Sequence, residues 1–142
     1  MSICDRLRTG VLSTSAEETQ ALARELAQVL PPDTVLALHG DLGVGKTTFV
    51  QGLAREFGIE GPVTSPTFTI YTIHQGKRRL VHLDAYRLSS AAQMDTLLVD
   101  DFLQSPYCLA IEWPERIESW IPAEAWHLDL GIESSGHRLR LR

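Results

Sequence analysis

In the stretch GDLGVGKTTF, four residues separate Gly40 from Gly45, and Lys46 and Thr47 follow at once. This is the spacing G-x-x-x-x-G-K-[ST]. A phosphate chain held by backbone N–H groups must come very close to that backbone. Gly40, Gly43 and Gly45 remove the side chains that would prevent it and permit positive φ. The converging amides then form an anion-binding nest, and a helix starting here adds the positive end of its dipole. In such a loop the lysine, Lys46, reaches the β- and γ-phosphates, and the hydroxyl of Thr47 sits on Mg²⁺. Asp41 is either a catalytic acid within the loop or a solvated one.

Such a loop works with a carboxylate at the end of a buried strand. YCLAIEW supplies Glu112 directly after Leu109, Ala110 and Ile111, whereas Glu115 reads as a solvated loop acid. VHLDAYR supplies Asp84, with His82 on the same face by period-two alternation. Asp84 either orients an attacking water or holds Mg²⁺ through water. The competing view makes His82 and Asp84 one polar stripe on a half-exposed strand. Arg87 either meets phosphate charge or lies on the surface. In TSPTF, the hydroxyls of Thr64, Ser65 and Thr67 either fold over a terminal phosphate or form a plain turn stiffened by Pro66. Guanine-specific proteins commonly carry N-K-x-D and D-x-x-G. This chain has no asparagine, and no aspartate is followed three residues later by glycine, so ATP is expected over GTP.

These groups need elements to position them. Ser15, three residues before Glu18, predicts a capping box opening a helix. Thr19, Leu22, Ala23, Leu26, Ala27 and Leu30 give it a buried stripe, and Pro31 and Pro32 stop it. TVLALHG predicts a buried strand, and a helix follows from about Lys46 to Phe57, ended by Gly58. FTIYTIH and RLVHLDAYRL predict a β-hairpin, and SSAAQMDTLLVDDFL a helix. YCLAIEW is another buried strand. WHLDLGIE and RLRLR form a second hairpin around SSGH. The expected class is α/β: a P-loop NTPase-like mixed, mostly parallel sheet flanked by helices, with antiparallel hairpins. Residues 1–142 are expected to form a single domain.

Bulk properties narrow the field. With 44% apolar and 22% charged residues the chain is ordinary for a globular protein. No run approaches the ~20 apolar residues that span a bilayer, and the N-terminus lacks the apolar core of a secretory signal. Cys4 and Cys108 lie far apart, which points to free thiols in a reducing, cytoplasmic setting rather than to a disulfide frame. A net charge of −5 argues against bulk-charge gripping of nucleic acid. The only lysines among thirteen basic residues are Lys46 and Lys77, so a chain that otherwise uses arginine places a slim point charge in its glycine turn. The basic clusters Lys77–Arg79 and Arg138, Arg140 and Arg142 read as solvated hairpin faces or as a docking surface for an acidic partner or RNA. Trp113, Trp120 and Trp126 read as core or interface anchors rather than cofactor contacts.

Taken in order, GDLGVGKTTF, TSPTF, HLDAYR and IEWPER resemble the TsaE (YjeE) family from about Ser13 to Arg138. The resemblance implies a P-loop ATPase needed to form N6-threonylcarbamoyladenosine at position 37 of tRNAs that read codons beginning with A. It implies TsaB and TsaD as partners, with TsaD carrying the transfer chemistry. It also implies that Gly40, Asp41, Leu42, Gly43, Val44, Gly45, Lys46, Thr47 and Thr48 bind ATP. Thr47 and Glu112 would hold Mg²⁺, and Lys46, Asp84 and Glu112 would form the hydrolytic site. The nucleotide base in such proteins is flanked by the segments that correspond here to Thr14–Glu18 and Gly136–Arg138. The family's C-terminal G-R appears as GHR, with His137 intervening.

Two other classes compete. A small-molecule kinase would need an arginine-bearing lid, which acidic LSSAAQMDTLLVDDFLQ does not supply. A nucleotide-gated binding module would make hydrolysis incidental. The chain shows no obvious arginine finger, so slow basal hydrolysis is expected.

Overall fold

The computed structural model describes all residues, 1–142. The elements run α1 (Ile3–Thr9), β1 (Val11–Ser13), α2 (Ala16–Val29), β2 (Thr34–His39), α3 (Lys46–Glu56), β3 (Tyr71–His74) and β4 (Arg79–Asp84). After short helical turns come β5 (Tyr107–Glu112), the 3₁₀ segment Pro114–Trp120, β6 (Trp126–Glu133) and β7 (Gly136–Leu141). All seven strands join one sheet in the order β1-β7-β6-β2-β5-β4-β3. The three middle ladders, β6-β2, β2-β5 and β5-β4, are parallel, and the three outer ones are antiparallel. The sheet is therefore mixed, as expected: β2 and β5, at the centre of the parallel part, are almost wholly buried, while β6 at its edge is buried on one face only.

Alternation along β4 and β5 decides which side chains meet the helices. Leu80, Cys108 and Ala110 join the larger core beneath α1, α2 and α3, whereas Val81, Leu83, Leu109 and Ile111 join a smaller core on the opposite face. His82, Asp84 and Glu112 share the parity of the first set and so face α3. Cys108 is fully buried, and burial pushes its thiol up to about 12, which makes it an inert core residue.

Helix α2 starts where the sequence places it, but its cap differs. Ser15 Oγ accepts from the Glu18 N–H at 3.1 Å, while the Glu18 carboxylate turns to the N–H and hydroxyl of Thr14 instead of completing a box with Ser15. Helix α2 packs on α3 at Gly52, where an added Cβ would stand 2.5 Å from Gln20 O and 2.6 Å from Ala23 Cβ. In a free helix, glycine to alanine gains roughly 1 kcal/mol. Overpacking costs about 1–3 kcal/mol, so the clash wins. Gly52→Ala is expected to lower the melting temperature by about 3–6 °C; an unchanged or raised value in a thermal melt would contradict this close approach.

Two further expectations differ from the fold. SSAAQMDTLLVDDFL is not one helix but three short pieces, Ala91–Gln93, Met94–Leu97 and Val99–Phe102, broken by Leu98 at φ +55°. Met94 and Val99 are both buried in the smaller core, and a five-residue spacing does not fit one face of a helix. The first strand of the 68–84 hairpin begins only at Tyr71: Phe68 is 83% exposed and Ile70 sits at φ +70°. Elements α1, β1 and Pro114–Trp120 were not foreseen. The sequence does hold a signal for α1, in Ser2 as N-cap and in Ile3 and Leu7 as a buried pair four residues apart.

Candidate functional site

The carboxyl ends of β2, β4 and β5 lie side by side, because Leu38 and Asp84 both pair with Glu112 in register. The connection from β2 to α3 leaves this edge as the glycine turn. Gly40 has φ +144°, and a Cβ there would stand 2.5 Å from Leu130 O. Gly45 at φ +99° is the N-cap of α3 and supplies no side-chain cap, whereas Ser2 and Ser15 cap α1 and α2. The first amides of α3 are thus left without a side-chain acceptor, which is the condition for binding an anion. Lys46 is buried, its Nζ donates to Gly40 O at 2.5 Å, and it lies 3.8 Å from the centroid of the Trp113 ring. Burial pulls the Lys46 ammonium below its ordinary value, and the carboxylates of Glu112, Glu115, Asp84 and Asp41 work in the other direction. A phosphate seated in the turn would favour the charged form further.

Two carboxylates face this lysine. Glu112 Oε2 accepts from Thr47 Oγ1 at 3.1 Å and from His82 Nε2 at 2.5 Å. His82 is fully buried rather than half-exposed, so the polar-stripe alternative fails for it, and its Nδ1 has no partner. An unpaired buried polar atom costs about 1–3 kcal/mol. Asp84, also buried, accepts from the Tyr86 N–H at 2.9 Å and from Ser65 Oγ at 3.4 Å. Ser65 and Thr67 share a hydrogen bond at 3.1 Å, so the TSPTF loop is tied to the β4 carboxylate.

Around these groups is a cleft of about 710 Å³, within the range of small-molecule sites. Leu42, Gly43, Gly45, Lys46, Thr47 and Thr48 line it from the loop, while Gly40, Asp41 and Val44 do not. Asp84, Glu112, Ser65 and Thr67 line it as well, and Thr64 stays outside. Thr14, Ser15 and Ala16 line it too, with His137, whose Nδ1–H donates to Val44 O at 2.8 Å. Arg138 does not line the cleft; it pairs with Glu133, one of its two bonds measuring 3.1 Å. Glu18 is likewise occupied with Thr14. Trp113, expected as a core or interface anchor, lines the cleft, held at φ +58° just past β5. Tyr86 lines it too and was missed; its place in HLDAYR, two residues beyond Asp84, was the available signal. Arg87 lies at the surface, 4.9 Å from the Phe68 ring.

The donor chemistry suits a magnesium nucleotide. Thr47 and Glu112 present hard oxygen donors beside the uncapped start of α3. No group of three or more His, Cys, Asp or Glu side chains converges to hold a metal unaided. A divalent cation would therefore be held jointly with phosphate oxygens.

A glycine turn between a buried parallel strand and an uncapped helix, with a lysine inside it and a strand-end acid beside it, defines a P-loop nucleotide-binding protein. Residues 13–140 match the family model described as threonylcarbamoyl adenosine biosynthesis protein TsaE. The chain is 34% identical to the tRNA threonylcarbamoyladenosine biosynthesis protein TsaE of Treponema pallidum, over 89% of this chain and 94% of that one. It is 38% identical to the protein of that name from Bacillus subtilis, over 87% and 77%. The crystal structure of Bacillus subtilis YdiB superposes with a TM-score of 0.77 at 32% identity, covering 93% of this chain and 82% of that one. The chain belongs to the TsaE family.

Proposed function

We propose that residues 1–142 form a single P-loop ATPase domain that hydrolyses ATP with Mg²⁺ in the formation of N6-threonylcarbamoyladenosine at position 37 of tRNAs reading codons that begin with A. It acts with TsaB and TsaD, in the cytoplasm, where the tRNA is. The observation that carries the nucleotide chemistry is the convergence of Lys46, Thr47, Asp84 and Glu112 on one cleft at the strand ends. The tRNA role rests on the family and on the names of the relatives.

In this reading the amides of the turn bind the phosphates and Lys46 adds a positive charge where negative charge gathers in the transition state. Thr47 and Glu112 hold Mg²⁺, which neutralises phosphate charge when bound. Asp84, fixed by Tyr86 N–H and Ser65, accepts a hydrogen bond from the attacking water. No arginine lines the cleft, so the isolated chain turns over slowly and a partner completes the site. Turnover on the order of 10 s⁻¹ without partners, as for a typical enzyme, would contradict this.

The kinase alternative is disfavoured by residues 91–102. They carry Asp95, Asp100 and Asp101 and no basic residue, and their Met94 and Val99 pack into the smaller core rather than over the cleft. The deciding experiment is capture with TsaB and TsaD with and without ATP, followed by nucleoside analysis of tRNA after depletion of this protein. ATP-dependent capture with loss of the modified nucleoside supports the proposal. Release of free phosphate with no phosphorylated acceptor excludes the kinase. Unchanged tRNA after depletion would refute the proposed role.

A further inference from the structure

We infer that His82 is a positioning residue for the Glu112 carboxylate, holding one oxygen from behind so that the other stays presented to the cleft. The inference rests on the nucleotide reading above and extends it to a residue outside the cleft wall. The imidazole is fully enclosed and crosses from β4 to β5, where Nε2–H donates to Glu112 Oε2 at 2.5 Å. It stands opposite Ala110, whose small side chain leaves it room to do so. Its own Nδ1 is the one buried side-chain polar atom without a partner. A leucine or phenylalanine at this position would fill the core without that penalty. The bond made by Nε2 is what accounts for an imidazole here.

The two bonds at Oε2 differ in kind. Thr47 belongs to the loop helix, and in P-loop proteins its hydroxyl turns to the metal. That movement would remove the Thr47–Glu112 bond and leave His82 as the remaining anchor. His82 has no other partner to turn to. Glu112 Oε1 makes no hydrogen bond within the chain and is not enclosed, so it opens on the cleft that the residue lines. A terminal carboxylate torsion is broad and two-fold. Released from His82, the group is drawn toward the nearby Lys46 ammonium, whose field it already shares.

Two variants separate positioning from packing. His82→Leu keeps an apolar filling and removes the donor; His82→Gln keeps an N–H within reach of Glu112. Trp113 in the cleft reports nucleotide binding by its fluorescence, independently of turnover. ATP is titrated in EDTA and then at graded Mg²⁺. The leucine variant is expected to match wild type in EDTA within about twofold, yet to need about tenfold more Mg²⁺ for half-maximal effect on binding and on hydrolysis, with most of the loss recovered in the glutamine variant. An unchanged Mg²⁺ requirement in His82→Leu overturns the inference, as does a glutamine variant no better than leucine. Wild type that fails to bind ATP at all would instead refute the nucleotide reading. Should His82→Leu not fold, nitrogen-15 NMR of the wild-type imidazole decides: a proton on Nε2 supports the inference and a proton on Nδ1 overturns it.

Discussion

Lys46→Ala is expected to reduce ATP hydrolysis by about 100-fold or more, with nucleotide affinity falling in parallel. The magnitude follows from where the charge sits. The ammonium is buried, rests on a single carbonyl at 2.5 Å and lies against an indole ring, so little water screens it from an anion in the turn. The same burial makes it costly in the empty protein, where desolvation lowers its affinity for a proton despite four carboxylates nearby. Removing it therefore leaves thermal stability unchanged or slightly raised while function collapses. Calorimetric ATP titration and a phosphate-release assay test this together with a melt. Retained binding and retained hydrolysis in a folded Lys46→Ala protein would remove the phosphate-loop assignment itself.

Glu112→Gln is expected to raise the Mg²⁺ needed for half-maximal hydrolysis by about tenfold or more and to lower the rate by about 100-fold, with ATP binding in EDTA nearly unaffected. Glutamine is chosen because its carbonyl oxygen can still accept from both His82 and Thr47, so the hydrogen bonds at Oε2 survive and only the charge is lost. Alanine would strand the imidazole with no partner on either nitrogen and mix a folding defect into the result. Asp84 offers a contrast. Its oxygens are held by Tyr86 N–H and Ser65, and it makes no hydrogen bond to Thr47. If Glu112→Gln hydrolyses ATP at the wild-type rate with wild-type Mg²⁺ dependence, the metal role belongs elsewhere and Asp84 is the next acid to test.

How much of this was legible differs from element to element. The turn from Gly40 to Thr48 was legible because a phosphate nest is local: it needs glycines, a lysine and a hydroxyl at fixed offsets on one strand–turn–helix. Glu112 was legible because a phosphate loop calls for a strand-end carboxylate, and few apolar runs in this chain end in an acid. His82 was not. Period-two alternation places it on the face of Asp84, but only the parallel register of β4 against β5 shows that this face lies under α3 and that the imidazole meets Glu112. Trp113 carried a hydrophobic signature compatible with core, and its turn into the cleft depends on a left-handed backbone at a position where sequence gives no glycine.

The sequence by itself determined the glycine turn with its lysine and hydroxyl and the mixed α/β class, since both arise from short-range spacing and from apolar periodicity. It also carried the family likeness through four motifs in order. The tertiary structure alone decided that His137 reaches across from β7 to Val44 while its neighbour Arg138 turns away to Glu133. It likewise decided that residues 91–102 break at Leu98 instead of running on as one helix. These outcomes depend on which distant surfaces compete for each side chain, and such competition is settled by packing between segments rather than by any local preference.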